Sequence, residues 1–259
     1  MKRILITGAS SGLGLASSKR LAQKGHHIIM LVRSPQKGEA ALRSVRKHGS
    51  AELLLCDLSD LNQLQAGTFP TPKEPIDVLM HNAGIIETHR HITPQGFERT
   101  IAVNHLAMVL LTHTLWASLR DDARIVIVSS GAHKAVRFNL DDWMAEKKYS
   151  LIQQYGLSKL CNILFCVGLA KRIKGTKKTV NSVHPGAVNT GLGNNNQTWY
   201  APIGHLVKRF LMKPNKGADT QVWLSIAPEL HSQSGGYYYK RKLAPVSKDA
   251  KSSHNADVL

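Results

Sequence analysis

The sequence predicts an α/β fold, a doubly wound parallel sheet flanked by helices on both faces. Two observations predict it: short β-rich apolar runs alternate with longer segments of helical period, and the first run opens into a glycine-rich turn followed by a helix. Strands are expected at residues 4–6, 27–32, 52–56, 76–80, 124–128 and 179–183. Helices are expected at 13–24, 36–47, 95–119 and 157–172, where apolar residues recur at helical spacing. Right-handed crossovers then place the strand C-terminal ends, and any ligand, along one edge.

The 259 residues, 42% of them hydrophobic, suit a single domain spanning 1–259. Residues 193–216 break the alternation with Asn194-Asn195-Asn196, Pro202 and Pro214, and are expected to form an excursion over the site. Trp199, Tyr200 and the stretch 203–211 are candidates for a substrate lid, although ordinary packing explains them equally well. The polar tail from Lys248 is expected to be loosely held. No stretch reaches the roughly 20 apolar residues of a membrane span, and the N-terminus turns at once into the glycine-rich loop, which argues against a signal peptide. Cys56, Cys161 and Cys166 form no metal-ligand or disulfide pattern, so a reducing cytoplasm is the expected home.

A net charge of +17 favours anionic partners: a phosphorylated cofactor, an anionic membrane surface or nucleic acid. The basic residues are spread along the chain, without interleaved aromatics or zinc-finger spacing, and nucleic-acid binding is not expected. Peripheral membrane contact through the basic surface stays open, and so does catalysis beside it.

The first expected strand runs into Thr7-Gly8-Ala9-Ser10-Ser11-Gly12-Leu13-Gly14. Glycines at this spacing let the backbone turn sharply and approach a pyrophosphate, which the free N–H groups and dipole of the next helix attract. A ligand-free turn is the ordinary alternative, and the position after the first strand speaks against it. The second strand ends at Val32-Arg33-Ser34, with arginine where a carboxylate would accept from the ribose hydroxyls of NAD. Arg33 therefore points to the 2′-phosphate of NADP, unless it is one more surface arginine. Asp57, with Leu58 nearby, could accept from an adenine amino group or cap the following helix. Asn82-Ala83-Gly84 follows the fourth strand, where small residues let backbone pass beside a cofactor.

Tyr155-Gly156-Leu157-Ser158-Lys159 puts a phenol and an ammonium four residues apart on one helix face. A cation about 4 Å away, at an effective dielectric of about 20, lowers a phenol by roughly three pKa units, toward neutrality. Such a tyrosine can exchange a proton with an alcohol or carbonyl oxygen. The pair is also common on ordinary helices. Ser129-Ser130 ends the fifth strand, where a hydroxyl reaches the ligand edge or merely closes a turn. Asn104 lies within the preceding helix, as a functional amide or a satisfied buried one.

This constellation, in this order, resembles the short-chain dehydrogenase/reductase family over nearly the whole chain, and His184-Pro185-Gly186 extends the match. The resemblance implies a Rossmann fold and a catalytic set of Asn104, Ser130, Tyr155 and Lys159. Tyr155 would be the acid/base, Ser130 would orient the carbonyl, Lys159 would lower the tyrosine pKa and hold the nicotinamide ribose, and Asn104 would hold a relay water. Gly8, Ser10, Ser11, Gly12, Leu13, Gly14, Arg33, Asp57, Leu58, Asn82, Ala83 and Gly84 would bind the cofactor. Pro185, Gly186, Val188 and Thr190 would line its nicotinamide end. The long gap between Ser130 and Tyr155, the Ser158-Lys159-Leu160-Cys161-Asn162 run and Ser234-Gly235-Gly236-Tyr237-Tyr238 are similar to the retinol dehydrogenase and WW-domain oxidoreductase branch. That branch implies lipophilic aldehyde, ketone or alcohol substrates and NADP(H), with NAD(H) as the second choice; a homodimer is open to it. His81 departs from the asparagine usual before Asn82, and the N-terminal anchor helix of several retinol dehydrogenases has no counterpart here. A different reading keeps the cofactor and drops the chemistry: a non-catalytic NADP(H)-binding sensor or scaffold protein.

Overall fold

The computed structural model describes residues 1–188 and 212–259. Eight strands form one sheet: β1 (Arg3–Thr7), β2 (His27–Val32), β3 (Ala51–Leu55), β4 (Ile76–His81), β5 (Leu119–Val128), β6 (Thr179–His184), β7 (Tyr237–Tyr239) and β8 (Lys242–Leu243). Their spatial order is β3-β2-β1-β4-β5-β6-β7-β8, and every neighbouring pair is parallel except β7 with β8. Chain order therefore reverses between β1 and β4, and the crevice beyond their C-terminal ends is where doubly wound sheets bind ligands.

The apolar runs are continuous because both faces of the sheet are buried. Ile4, Ile6, Ile28, Met30, Val78, Met80, Val126 and Val128 point to one face. There they pack with α1 (Gly12–Gln23), α2 (Pro35–Arg46) and α7 (Asp219–Ile226). Leu5, Ile29, Leu31, Leu79, Ile125 and Ile127 point to the other. That face is covered by α4 (Ala107–Thr114) and α5 (Leu151–Arg172). The period-2 split of consecutive residues between two cores is what the strand pleat imposes.

The sequence expectation for 95–119 gives way to three shorter pieces. Gly96 takes a positive φ of 85° in a turn, so the helix starts only at α3 (Arg99–Ile101). A π turn, Ala102–Leu106, joins α3 to α4, and β5 reaches back to Leu119, which pairs with Ile76. α5 begins six residues earlier than its periodicity suggests, because Ser150 caps it by accepting from the Gln153 N–H. The tail is not loose: α8 (Lys248–Lys251) and α9 (Ser253–Val258) bury Ala250 and Ala256 on α5. Asp249 accepts from the Phe138 N–H at 2.8 Å, tying the tail to the long insertion after β5. A short helix, α6 (Pro214–Gly217), precedes α7. Among the described residues no helix is long and apolar enough to cross a membrane, and no cluster of metal-ligating side chains occurs.

Glu98, 0% exposed, joins the two helices that carry the site. Its carboxylate accepts from Thr100 and Ile101 N–H, both at 2.9 Å, and from the Gln154 amide at 3.0 Å. Glu98→Ala leaves buried donors unpaired and is expected to destabilise the fold by about 2–4 kcal/mol. Urea unfolding measures it; a midpoint unchanged from wild type would contradict this account of the cap.

Candidate active site

The cleft at the switch point has a volume of about 470 Å³. Of the residues expected to bind a cofactor, Gly8, Ser10, Ser11, Gly12, Leu13, Arg33, Asp57, Leu58, Asn82, Ala83 and Gly84 line it. Its floor is stitched across the point where the order reverses. The Thr7 hydroxyl oxygen accepts from the N–H groups of Asn82 and Ala83, at 3.0 and 2.9 Å. The Asn82 amide donates to the Thr7 carbonyl at 2.9 Å, and its oxygen accepts from Gln221 on α7 at 3.3 Å. Asn82 thus lines the cleft while its side chain is spent on the framework.

Two glycines are required by close approach. Gly8 has φ 66°, and a Cβ there would sit 3.0 Å from Ala83 Cα. A Cβ on Gly14 would collide with the Gly8 carbonyl and lie 2.6 Å from the Asn82 amide nitrogen. Gly14 is therefore buried packing between loop and helix rather than a lining residue. Ser11, at the N-cap of α1, makes no side-chain capping bond, and Ser11, Gly12 and Leu13 at this helix start line the cleft. A glycine-rich turn feeding an uncapped helix start fits a dinucleotide pyrophosphate.

At the end of β2, Arg33 is exposed and its Nε lies 3.9 Å from Asp57 Oδ2. The other Asp57 oxygen accepts from the Ser59 N–H and hydroxyl, at 2.9 and 2.8 Å. Asp57 thus holds its own turn, and the cap of the next 3₁₀ turn is Asp60 instead. Ser34 and Lys37 also line the cleft, and sequence reasoning missed both. The signal was present: Ser34-Pro35 is a helix start, which returns Lys37 to the cleft mouth beside Arg33. Arg99 and Glu87, paired at 3.1 Å on the cleft wall, carried no sequence signal.

The residues expected to be catalytic stand beyond Gly84, where a Cβ would lie 3.2 Å from Lys159 Nζ and 3.4 Å from Asn104 Oδ1. The two serines after β5 separate in role. Ser129 is buried and donates to the Lys159 carbonyl at 2.7 Å, fixing α5 to the sheet. Ser130 accepts from the Ala132 N–H at 3.2 Å and hydrogen-bonds the Tyr155 phenol.

Lys159, 3% exposed, donates from Nζ to the Val128 carbonyl at 3.1 Å and lies 5.7 Å from the Tyr155 ring centroid. Burial lowers its pKa to about 8. The phenol is not drawn toward neutrality as the spacing suggested. Burial holds Tyr155 above its ordinary value, and the Ser130 bond offsets this only in part. Lys159, lowered to about 8, is already neutral at the pH where the phenol would ionise, so it supplies no charge to stabilise a phenolate.

Asn104 lies in the π turn and is fully satisfied by protein. It accepts from the Ile85 N–H at 2.7 Å and donates to the Ile85 carbonyl and the Ser158 hydroxyl, both at 3.0 Å. Ser158 in turn donates to the Tyr155 carbonyl at 2.7 Å. The side chain therefore clamps the loop after Gly84 to the Tyr155 helix, the satisfied-amide alternative raised by the sequence. π turns of this kind recur at functional sites because they redirect one side chain without ending the helix.

At the far end, Gly186 has φ 89°, and Met212 packs where its Cβ would be. Val188 forms a parallel bridge with Met212, and Gly217 packs against Val188 and Leu13. Pro185 stands between His184 and Gly186. Thr190, Trp199, Tyr200 and the lid stretch 203–211 lie outside the described residues; of the expected 193–216 excursion, only 212–216 lies within them.

Residues 2–201 match the short chain dehydrogenase family model. Human (Homo sapiens) retinol dehydrogenase 14 is 37% identical over 274 residues, covering 96% of this chain and 82% of its own. Mouse (Mus musculus) retinol dehydrogenase 12 is 33% identical, covering 100% and 84%. A crystal structure from Mycobacterium Paratuberculosis superposes with a TM-score of 0.82 at 31% identity, covering 99% of this chain and 90% of that one. A Burkholderia cenocepacia short chain dehydrogenase in complex with NADP shares the fold, with a TM-score of 0.69 at 24% identity, covering 91% and 94%. The switch-point cleft, its glycine cradle and these likenesses agree: the chain belongs to the short-chain dehydrogenase/reductase family, Rossmann-fold oxidoreductases that bind a nicotinamide cofactor and act on CH–OH groups of small molecules, and it is related to the retinol dehydrogenases.

Proposed function

We propose that this protein is an NADP(H)-dependent oxidoreductase interconverting lipophilic aldehydes or ketones with their alcohols. The observation that carries the reading is the Tyr155 phenol bonded to Ser130, with Lys159 buried beside it and packed against Gly84 of a dinucleotide-sized cleft. The α1 N-terminus with Gly8 and Gly12 would hold the pyrophosphate, and Lys159 the nicotinamide ribose. The bound nicotinamide supplies or accepts the hydride at the substrate carbon. In reduction, Ser130 donates to the carbonyl oxygen and orients it, and Tyr155 gives that oxygen its proton. A phenol held above its ordinary value remains protonated at neutral pH and suits that acid role. Asn104 acts through Ser158 and Ile85, holding the loop after Gly84 against the Tyr155 helix.

Support for NADP(H) over NAD(H) is the Arg33 and Lys37 pair at the mouth, with arginine where an acid would exclude a 2′-phosphate. Resemblance to retinol dehydrogenases supports a lipophilic substrate.

Turnover is tested by following NADPH and NADH oxidation against a panel of lipophilic aldehydes and ketones. Wild type is expected to oxidise NADPH, and Tyr155→Phe to lose at least roughly a hundredfold in kcat, the low end of a positioned acid's contribution. A Tyr155→Phe enzyme with wild-type kcat would remove the tyrosine from the chemistry. Arg33→Ala combined with Lys37→Ala should raise KM for NADPH roughly tenfold or more while leaving KM for NADH nearly unchanged; equal effects on both would refute the 2′-phosphate assignment.

The pH dependence follows from Lys159. Its ammonium is present below about 8 and lost above, whereas an unfolded lysine stays charged up to its ordinary value of 10.5. Reduction by the wild type is therefore expected to fall as pH rises through about 8, a limb seen in kcat/KM against pH. The folded state binds fewer protons than the unfolded one between those values, so this group makes stability rise with pH there. A flat kcat/KM between pH 7 and 9.5 would contradict the assignment.

A further inference from the structure

His184 ends β6, opposite Tyr239 of β7 in register. The two rings stack with centroids 5.0 Å apart and planes 28° from parallel. Two backbone N–H groups converge on its Nδ1: Gly131 donates at 3.4 Å and Gly186 at 3.3 Å. They belong to different loops. Gly131 follows Ser130, the hydroxyl bonded to the Tyr155 phenol, whereas Gly186 opens the turn at the nicotinamide end of the proposed cofactor site. Its φ of 89° belongs to the left-handed region, available to glycine without strain.

A ring nitrogen that accepts hydrogen bonds carries no proton, so this geometry requires the neutral imidazole with its hydrogen on Nε2. Neither stacking on Tyr239 nor filling the space needs a histidine; a phenyl ring does both. What the imidazole adds is one acceptor, held rigidly at a strand end, within reach of both loops. A Cβ on Gly131 would lie 3.4 Å from Nε2, so the ring leaves little room for a side chain there.

We propose that His184 is a positioning residue: its neutral ring ties the loop carrying Ser130 to the loop carrying Gly186, and so sets the carbonyl-orienting hydroxyl relative to the nicotinamide end of the cleft. This rests on the oxidoreductase reading above. Ser130 and the 185–188 turn come from adjacent strands and touch the substrate and the cofactor respectively. A shared acceptor makes the spacing between them a property of one side chain. Its surroundings favour the neutral form. Burial, together with His133 and Lys134 of the turn after β5, keeps the imidazole below its ordinary pKa. From β7 the ring meets Tyr239, whose other contact is the Lys240 ammonium at 5.2 Å from its centroid. Each of these charged neighbours is cationic when ionised, so protonation occurs only on acidification below the ordinary histidine range. It then turns the acceptor into a donor facing two N–H groups.

Wild type, His184→Phe and His184→Asn test this. His184→Phe keeps a ring against Tyr239 and loses the acceptor; it is expected to retain a wild-type melting temperature, with kcat/KM for NADPH reduced roughly tenfold, the scale of one lost hydrogen bond. His184→Asn restores a non-titrating acceptor; it should recover most of that loss and lack the acid limb that wild type shows. Wild-type kcat/KM in His184→Phe, with the acid limb still present, would overturn the proposal. Should His184→Phe fail to fold, ¹⁵N spectra of the ring in the cofactor-free wild type decide. A non-protonated Nδ1 with protonated Nε2 supports the clamp, and the opposite tautomer overturns it. That readout needs no turnover, so a wild type that binds no nicotinamide nucleotide would sink the functional reading and leave the ring assignment to be judged on its own.

Discussion

The site depends on one close approach, between the end of β1 and the start of the loop after β4. Thr7, Gly8, Asn82 and Ala83 meet there, with the Thr7 hydroxyl taking two N–H groups that no strand partner can take. At a topological switch point the ladders part, and their terminal backbone groups need other partners. A threonine hydroxyl and an asparagine amide supply them, and glycine at 8 and 14 lets the chains come near enough. Everything that forms the cleft is referred to this stitch: the α1 N-terminus on one side, Gly84 and the reacting groups on the other. Gln221 reaches it from α7, bonding both Asn82 and Ser17 of α1, so both sides of the crevice and the helix beyond share one hydrogen-bonded unit.

The end of the site around Tyr155 is organised differently, by buried polar side chains that pair with backbone and with one another. Asn104 bonds Ile85 and Ser158 across the π turn and α5, while Ser129 and Lys159 bond α5 to the end of β5. Each removal would leave a buried partner unsatisfied, so geometry is held more tightly than apolar packing alone would hold it. Tyr155 and Ser130 are what this frame leaves at the open end. The electrostatics have the same origin. Burial lowers Lys159 and raises Tyr155, and in the cofactor-free protein the two remain an ammonium and a phenol rather than a pair that has exchanged character.

Much of this was legible in the sequence, for physical reasons. Strands buried on both faces must be apolar throughout, so β1 to β6 announce themselves. The glycine spacing after β1 is forced by backbone approach, and a polar residue at a strand end, such as Arg33 or Ser130, has nowhere to point but the ligand edge. What escaped depends on geometry that no local pattern encodes. Ser129 and Ser130 differ only by the pleat, which sends one into the sheet and the other into the site. The 22-residue helix α5 starts earlier than its apolar period because a serine cap fixes it. Asn104 was visible, but not that a π turn would aim it at Ile85. The polar tail reads as loose, yet its alanines at 250 and 256 are buried on α5, because small side chains suffice where a backbone comes close to Gly168. β7 and β8 were missed because they are short, three and two residues long.

We propose that the switch-point cleft is a dinucleotide site whose adenosine end recognises a 2′-phosphate. Fluorescence titration of NADPH into the cofactor-free protein tests it without any assumption about substrate. The account predicts saturable binding at one nucleotide per chain, displaced by adenosine 2′,5′-bisphosphate and only weakly by adenosine 5′-monophosphate. Absence of saturable binding would contradict the site itself, and equal displacement by the two adenosine nucleotides would contradict its recognition of the 2′-phosphate.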